Sequence, residues 1–124
     1  MRTYLILFIY SFAALSVFAQ DSERSFKDRF EEANVLMEDH YYSLALPIWQ
    51  ELLKEDPENA NINYKIGVCY YNYTTQEIKG LPYFRKAAKN ITKNYDPFIE
   101  TEKGAKIETY YYLAHLFHID YQLD

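Results

Sequence analysis

The chain contains few of the residues that cross-link proteins or make tight turns. Its 124 residues include 1 Cys, 3 Gly and 4 Pro. A single cysteine cannot form an internal disulfide, which excludes a fold held together by disulfide bonds. A sandwich or barrel of many short strands is also excluded, because its turns would need more glycine and proline. The composition therefore predicts one small, all-helical domain.

Positive charge is also scarce. Against 13 Lys and Arg the chain has 18 Asp and Glu, which gives a net charge of -5. Nucleic acid is an unsuitable partner for such a chain, because phosphate binding needs an excess of cations. Aromatic residues are abundant instead, at 19% of the chain, and 14 of them are tyrosines. This content indicates a packed, partly amphipathic interior and argues against disorder.

The N-terminus has the layout of a secretory signal peptide. Arg2 supplies a positive start, residues 4–17 form an uncharged, largely apolar run, and small residues precede a cleavage site before Gln20. A lipoprotein would need cysteine in place of Gln20. The uncharged span from Thr3 to Ala19 has 17 residues, at the lower limit of the ~17–25 residues that span a bilayer. We expect residues 1–19 to be cleaved and residues 20–124 to be exported without a membrane span.

An internal repeat organises the rest of the chain. The segment from Ala45 to Trp49 recurs from Gly80 to Phe84, at an offset of 35 residues, and Ala33 recurs as Gly67 at an offset of 34. Within each copy the apolar residues recur at steps of three and four, which is the spacing of amphipathic helices. The sequence therefore predicts consecutive pairs of helices.

The helix limits follow from caps and prolines. Ser25 with Asp28 three residues later is typical of a helix N-terminus. The second helix is expected from near Ser43 until just before Pro57. The apolar spacing predicts a third helix that includes Ile62 and Cys69, a fourth that runs from Leu81 to Ile91, and a fifth that begins near Ile107 and reaches a turn at Asp120.

Small residues recur where two helices of a pair should cross closely. A side chain larger than alanine would force the helix axes apart there, so we expect Ala33 to face Ala45 and Gly67 to face Gly80. This pattern resembles the tetratricopeptide repeat, which has a period of ~34 residues. The residues that match its signature, and that the resemblance implies are packing residues, are Ala33, Ala45, Trp49, Pro57, Gly67, Tyr70, Gly80, Phe84, Ala87, Ala114 and Phe117.

The resemblance implies an all-α solenoid of about two and a half repeats, a protein-binding fold. Leu52 stands where the family has a small residue, and Arg29 and Asn63 replace its early aromatic residue. From Gly67 to Ala114 the spacing is 47 residues, which leaves an inserted loop. The expected segments are repeat 1 at 26–59, repeat 2 at 60–92, the inserted loop at 93–106 and a truncated repeat 3 at 107–124.

A more specific resemblance comes from three stretches taken together with the signal peptide. Residues 64–70 (YKIGVCY), 94–98 (NYDPF) and 110–118 (YYYLAHLFH) are similar to the N-terminal repeats of a Gram-negative envelope family. Those proteins add a β-propeller-like segment and an OmpA-like domain, and some serve type IX secretion. The resemblance implies a scaffold in the periplasm or at the outer membrane. Because repeat 3 lacks its second helix, we expect the chain to be the N-terminal piece of a longer protein. The alternative is that the open face of the repeat 3 helix binds a partner.

In such repeats the first helix of each pair lines a concave groove that binds partners. The resemblance places nine residues there: Phe30, Asn34 and Met37 in repeat 1, Tyr64, Val68 and Tyr71 in repeat 2, and Tyr111, His115 and His118 in repeat 3. Tyrosine and histidine offer contact area with a hydrogen-bonding tip, which suits a peptide or protein segment of the cell envelope. The alternative is that these side chains only pack against neighbouring helices. The carboxylate clamp of the family is disfavoured, because Phe30, Tyr64 and Tyr111 stand where cations are expected.

Catalytic chemistry has weak support in the sequence. His115 and His118 share a helix face and could form half a zinc site, but no third ligand is fixed by spacing. Cys69 lies among apolar residues and is more typical of an inert core position than of a nucleophile. We expect no enzyme activity, no metal and no cofactor. A metal-dependent or thiol enzyme and a purely structural spacer remain the alternatives to a binding scaffold.

Overall fold

The computed structural model describes residues 24–73 and 75–123, apart from the side chain of Leu123. The expected signal peptide, residues 1–19, and its cleavage site lie outside the described residues. In the described ranges no helix is both long enough and apolar enough to cross a membrane.

The described residues form five α-helices and one 3-10 helix. The α-helices are α1 Phe26–Glu38, α2 Tyr42–Glu55, α3 Ala60–Asn72, α4 Leu81–Ala87 and α5 Thr109–Leu123, and the 3-10 helix Glu77–Gly80 leads directly into α4. Each helix packs against the next along the chain. Between residues 24 and 123, position 74 aside, β pairing is limited to one isolated bridge, from Ile91 to Ala105. The predicted all-α class is confirmed.

The first helix begins at the predicted cap. The Ser25 hydroxyl accepts a hydrogen bond from the Asp28 amide at 3.1 Å, and the Asp28 carboxylate accepts one from the Ser25 amide at 3.2 Å. This reciprocal arrangement satisfies amide groups that have no partner within the helix. The third helix is capped in a similar way, because the Asn59 side chain accepts from the Ile62 amide at 3.0 Å.

Two apolar clusters form most of the core. In the first, the rings of Phe30 and Trp49 meet edge to face with centroids 5.1 Å apart, and Ile62 and Ile66 of α3 pack against them. In the second, Phe84 of α4 packs with Leu81, Val68 and Leu116. The ring of Phe84 also stacks on Tyr112, with centroids 4.8 Å apart and planes within 10°. This stack joins α4 to α5.

The expected close approach between α3 and the start of α4 is present. A Cβ atom added to Gly80 would lie 2.9 Å from the carbonyl oxygen of Gly67. A Cβ atom added to Gly67 would lie 2.8 Å from ring atoms of Phe84. Real Cβ atoms do not approach other heavy atoms so closely, so glycine is required at both positions if the helices are to keep this spacing.

Two predicted helix limits are wrong. The fourth helix ends at Ala87 and does not reach Ile91. Ile91 lies instead in an extended segment, where the Ala105 amide donates to the Asn90 carbonyl at 2.8 Å and the Thr92 amide donates to the Ala105 carbonyl at 3.0 Å. The fifth helix passes through the turn expected at Asp120 and continues to Leu123. Residues 118–122 contain neither proline nor glycine, so nothing local ends that helix.

Most of the signature residues are buried, but four are not. Ala33, Ala45, Trp49, Gly67, Gly80, Phe84 and Ala87 are buried. Tyr70 is half-buried and stacks on Tyr83, and Pro57 is exposed in the turn after α2. Ala114 and Phe117 are exposed, contrary to the packing role expected of them. The other side of α5 carries the fully buried Leu116, which packs with Phe84 of α4. On the exposed side, the Arg85 guanidinium of α4 lies 4.9 Å from the centre of the Phe117 ring.

The long segment between α4 and α5 folds back over the start of α3. The Lys103 carbonyl accepts a hydrogen bond from the Ala60 amide at 3.1 Å, and the Lys103 ammonium pairs with the Asp56 carboxylate just before α3. The Tyr95 hydroxyl donates to the Asn61 side chain at 2.6 Å. The expected insertion is therefore packed against the helices along much of its length.

The variant Gly67→Ala tests the close approach of α3 and α4. The new methyl group would overlap the Phe84 ring, which cannot retreat because it is stacked on Tyr112. Overpacking of this kind costs about 1–3 kcal/mol, and the higher helix propensity of alanine offsets up to ~1 kcal/mol of it. We expect a net loss of about 1–2 kcal/mol in the free energy of unfolding, measured by urea titration with circular dichroism.

A double-mutant cycle provides the control. Phe84→Leu removes the ring edge that the new methyl group would meet, so Gly67→Ala should cost much less in that background. An equal cost in both backgrounds would contradict the assigned contact.

Candidate functional site

A pocket of about 360 Å³ opens where α1, α3 and the inserted loop meet. Its lining residues are Met37 from α1, Tyr64, Lys65 and Val68 from α3, and Tyr95, Pro97 and Lys106 from the loop. Apolar and aromatic side chains dominate the lining, with two lysines among them. Concave, mainly apolar sites with a few polar groups are the usual binding sites of proteins.

Tyr64 joins this pocket to the aromatic residues of α5. Its ring lies edge to face with Tyr95 of the loop at 5.9 Å and is tilted against Tyr112 at 6.2 Å between centroids. Burial raises the pKa of both Tyr64 and Tyr95 well above the ordinary tyrosine value, so both hydroxyls stay protonated. The neutral rings of Tyr64 and Tyr95 therefore pack together between the pocket and α5.

Beside the pocket lies a surface that we call the tyrosine face, formed by Tyr71, Tyr111, Tyr112 and His115. Tyr71 and Tyr112 meet edge to face at 4.8 Å between centroids, and the Tyr71 hydroxyl lies 2.9 Å from Nδ1 of His115. The Tyr111 and His115 rings are parallel within 5°, with centroids 6.5 Å apart. Tyr111 is 64% exposed. The tyrosine face therefore combines the apolar surfaces of aromatic rings with the hydrogen-bonding hydroxyl and imidazole groups at their ends.

Pocket and tyrosine face form one continuous surface. Tyr64, Val68 and Tyr71 follow one another at steps of four and three residues along α3, so they lie on one side of that helix. The expected groove residues Met37, Tyr64 and Val68 meet in the pocket, and Tyr71, Tyr111 and His115 meet in the tyrosine face. Six of the nine expected residues are therefore brought together.

The other three expected groove residues lie elsewhere. Phe30 is 1% exposed and Asn34 is 5% exposed, so both belong to the interior rather than to the groove. Phe30 is drawn inward by its edge-to-face contact with Trp49. His118 is exposed, one turn beyond His115, and its ring nitrogen lies 3.0 Å from the Gln122 side chain. His118 is not among the residues that line the pocket.

Lys65 is a buried cation beneath the groove. Its ammonium donates to the Asn34 side chain at 2.6 Å and lies 5.2 Å from the centre of the Trp49 ring and 5.9 Å from that of Phe30. Burial lowers the pKa of Lys65 to about 8. The hydrogen bond and the two cation–π contacts stabilise the ammonium and tie α3 to α1.

Sequence reasoning missed five residues of the site. These are Lys65, Tyr95, Pro97, Lys106 and Tyr112. Lys65 follows the expected groove residue Tyr64, and Tyr112 follows the expected groove residue Tyr111. Successive residues of a helix point in directions about 100° apart, so in each pair one side chain points toward a neighbouring helix and the other does not. The three loop residues belong to an insertion that has no counterpart in the other repeat. The sequence places Phe30, Tyr64 and Tyr111 where the family's carboxylate clamp has cations, but Lys65 and Lys106 line the pocket from other positions. The Lys106 ammonium is paired with the Glu108 carboxylate at 2.8 Å.

Cys69, His115 and His118 are the groups that the sequence offered for catalysis. Cys69 is buried, and the two histidines are exposed on α5. Cys69 is 1% exposed, and burial raises the pKa of its thiol to about 12, so the reactive thiolate does not form near neutral pH. Within residues 24–73 and 75–123, no three His, Cys, Asp or Glu side chains are grouped closely enough to hold a metal ion. The side chains of the pocket and the tyrosine face offer aromatic stacking, hydrogen bonding and apolar surface.

Comparison of the chain with protein-family models, with curated proteins and with solved structures found no match in any of the three.

The variant Tyr95→Phe tests how much the hydrogen bond of Tyr95 stabilises the inserted loop against α3. It removes the hydroxyl that bonds to Asn61, whose side chain is fully buried. Leaving the buried amide oxygen of Asn61 without this donor should lower the stability of the folded loop by about 1–3 kcal/mol. We expect faster hydrogen exchange at the Ala60 and Ala105 amides, which the loop protects. Amides in the α1–α2 pair serve as the internal control, and acceleration there as well would indicate global destabilisation instead.

Lys65 should make the stability of the chain depend on pH. Its folded pKa of about 8 lies below the ordinary lysine value, so the unfolded chain binds more protons between roughly pH 8 and pH 10.4. The free energy of unfolding should therefore rise with pH in this window. Relative to Lys65→Met, the wild type should gain on the order of 2 kcal/mol between pH 7 and pH 10, measured by urea titration at each pH.

The exposed Lys79 offers a matched control for that series. Lys79→Met removes one ammonium without altering a buried group, so its difference from the wild type should stay constant with pH. A difference for Lys65→Met that is equally independent of pH would contradict the burial of the Lys65 charge.

Proposed function

We propose that this chain is a non-enzymatic binding scaffold that holds an extended segment of another protein against the pocket and the tyrosine face. The supporting observation is the arrangement of Tyr111 and His115 beside the pocket. Both side chains are exposed while their rings are parallel to each other, and the Tyr71 hydroxyl fixes the position of His115. Large side chains held in one orientation lose little entropy on binding.

The proportions of the site favour a peptide over a small metabolite. The pocket of about 360 Å³ can hold one or two side chains, and the tyrosine face continues beyond it along α3 and α5. Buried aromatic anchors that enter pockets carry most of the energy in protein interfaces. A segment with one apolar anchor in the pocket and its next residues across Tyr71 and Tyr111 would use the entire surface.

We propose further that the fold is of the tetratricopeptide type. Support comes from the successive helix pairs, from the repeated small residue on α1 and α3, and from the glycine contact between α3 and the start of α4. The first helices of the pairs, α1, α3 and α5, contribute Met37, Tyr64 and Tyr111 to the candidate surface. In a solenoid of this kind that side is the concave one.

A location in the periplasm or at the outer membrane and a role in the cell envelope are proposed from the sequence alone. The N-terminal layout of Arg2 and the apolar run that follows it support export. The partner proposed is a protein or peptide segment of the cell envelope.

Photo-cross-linking at position 111 tests the binding role. A photoreactive phenylalanine analogue replaces Tyr111 in the exported protein, and cells are irradiated before purification. We expect a discrete cross-linked partner, identified by mass spectrometry of the adduct. Binding of that partner to immobilised protein should then weaken about tenfold or more in Tyr111→Ala, because central aromatic residues contribute ~1–3 kcal/mol at interfaces.

The same helix provides a matched control. Tyr110 is 53% exposed but lies about 100° around α5 from Tyr111. Tyr110→Ala removes an equal ring and should leave partner binding unchanged. Equal effects of the two variants, or adducts of equal yield from both positions, would refute the groove and leave a structural spacer as the better account.

A further inference from the structure

The pocket combines a basic part with an apolar part. All seven residues that line it are neutral or basic, and its two charged residues are Lys65 and Lys106. Met37 and Val68 supply aliphatic surface beside them. Because the chain as a whole carries a net charge of -5, this local excess of positive charge runs against the overall composition.

The two lysines lie at the same end of the candidate surface. The Tyr64 ring contacts Tyr112 of α5, and the Tyr71 hydroxyl, about two turns later on α3, bonds to His115. The helices α3 and α5 therefore run in the same direction. One lysine is in the second turn of α3, and the other precedes the first residue of α5 by three positions. The basic part thus lies near the starts of both helices, and the tyrosine face lies further along them.

The Lys65 ammonium has donors to spare for a ligand. An ammonium group has three N–H donors, and the Asn34 side chain accepts from this one at 2.6 Å. Although burial lowers the pKa of Lys65 to about 8, most of the side chain is protonated at pH 7. The charges of Glu38 and Asp96 also act on it. Glu38 is exposed, however, and the Asp96 carboxylate accepts from the Phe98 amide at 2.9 Å, so both lie outside the pocket lining.

Two more donors are available near this end of the pocket. Asn61 is fully buried one turn before Lys65, and its oxygen accepts from Tyr95, which lines the pocket. Within the described residues the Asn61 amide nitrogen has no partner. Lys106 is paired with Glu108, but both side chains are 45% exposed, and such a pair contributes little. A ligand can therefore compete for the Lys106 ammonium, and the group that satisfies all these donors is an anionic acceptor.

We propose that the segment held in the groove carries an acidic side chain two positions from its apolar anchor, and that Lys65 and Lys106 bind its carboxylate. This inference rests on the proposed binding role and specifies which segments the site selects. The acidic residue lies on the side of the anchor that is away from the tyrosine face.

The spacing follows from the geometry of an extended chain. Residues two positions apart in such a segment point in the same direction and lie about 6.6–6.8 Å from each other. Lys65 precedes Val68 by about 4.5 Å of helix rise, and the long lysine side chain spans the remaining gap. One side chain of the segment can then contact Met37 and Val68 while the other reaches the ammonium groups. Charge-assisted hydrogen bonds of this kind are about twice as strong as neutral ones.

Selection from a peptide library tests the pattern. Random twelve-residue segments are displayed within a carrier protein, so that no segment has a free C-terminus, and are selected on the exported, purified protein. We expect enriched segments to share an apolar residue with Asp or Glu two positions away. Selection on Lys106→Gln should keep the apolar residue and lose the acidic one. Lys79→Met removes an exposed ammonium elsewhere and should select the same segments as the wild type.

Calorimetric titration of one selected segment gives the magnitude. A synthetic peptide with blocked ends is compared with the same peptide in which an amide replaces the carboxylate. The acidic peptide should bind about tenfold or more tightly, and this advantage should shrink in both Lys65→Met and Lys106→Gln. It should persist in Lys79→Met. Circular dichroism establishes that each variant is folded.

The possible failures separate this inference from the binding role itself. Enriched segments without an acidic preference, or with one at another spacing, would overturn the inference and leave the groove in place. So would an acidic preference that both Lys65→Met and Lys106→Gln leave unchanged. The absence of any enriched segment would overturn the groove as well, which cross-linking at position 111 tests independently.

Discussion

The contact between Gly67 and the ring of Phe84 sets the geometry of most of this molecule. Because Gly67 has no side chain, the ring can lie directly against the backbone of α3, and Gly80 lets the start of α4 approach the Gly67 carbonyl. The same ring stacks on Tyr112 of α5. The position of Tyr112 decides where Tyr71 and Tyr111 can lie. A larger residue at position 67 would thus displace the tyrosine face as well as the core.

The inserted loop is the second determinant of the candidate site. Its backbone and side chains are tied to the start of α3 through Ala60, Asn61 and Asp56. These ties are polar and partly buried, so they hold one arrangement of the loop instead of many. The loop supplies nearly half of the pocket lining, including Tyr95 and Pro97. Without it the same helices would present an open apolar surface around Tyr64 and Val68.

The sequence predicted the parts of the fold that depend on local pattern. Helix spacing, the cap at Ser25 and the glycine contact at Gly67 and Gly80 all follow from residues near one another or from a repeat. The end of α4 at Ala87 was not predictable in this way, because the residues that follow it, around Ile91, pair with the backbone of Ala105, which is distant in the chain. The loop side of the pocket was missed for the same reason. Phe30 and Asn34 were expected to face the groove, but their side chains point into the interior. Phe30 packs there against Trp49, and Asn34 accepts a hydrogen bond from Lys65.

α5 exposes two surfaces that differ in chemistry, namely the tyrosine face and a stripe formed by Tyr110, Ala114, Phe117 and Tyr121. Tyr111 and His115 present hydrogen-bonding groups beside other aromatic rings, which suits a partner with its own polar backbone. The stripe around Ala114 instead alternates bulk and space, which suits a helix whose backbone is already satisfied. The guanidinium of Arg85 lies 4.9 Å from the centre of the Phe117 ring and borders the stripe on the side of α4. The two surfaces share no side chain, but Tyr110 and Tyr111 are neighbours in α5, so changes at these two positions are close enough to couple through the helix.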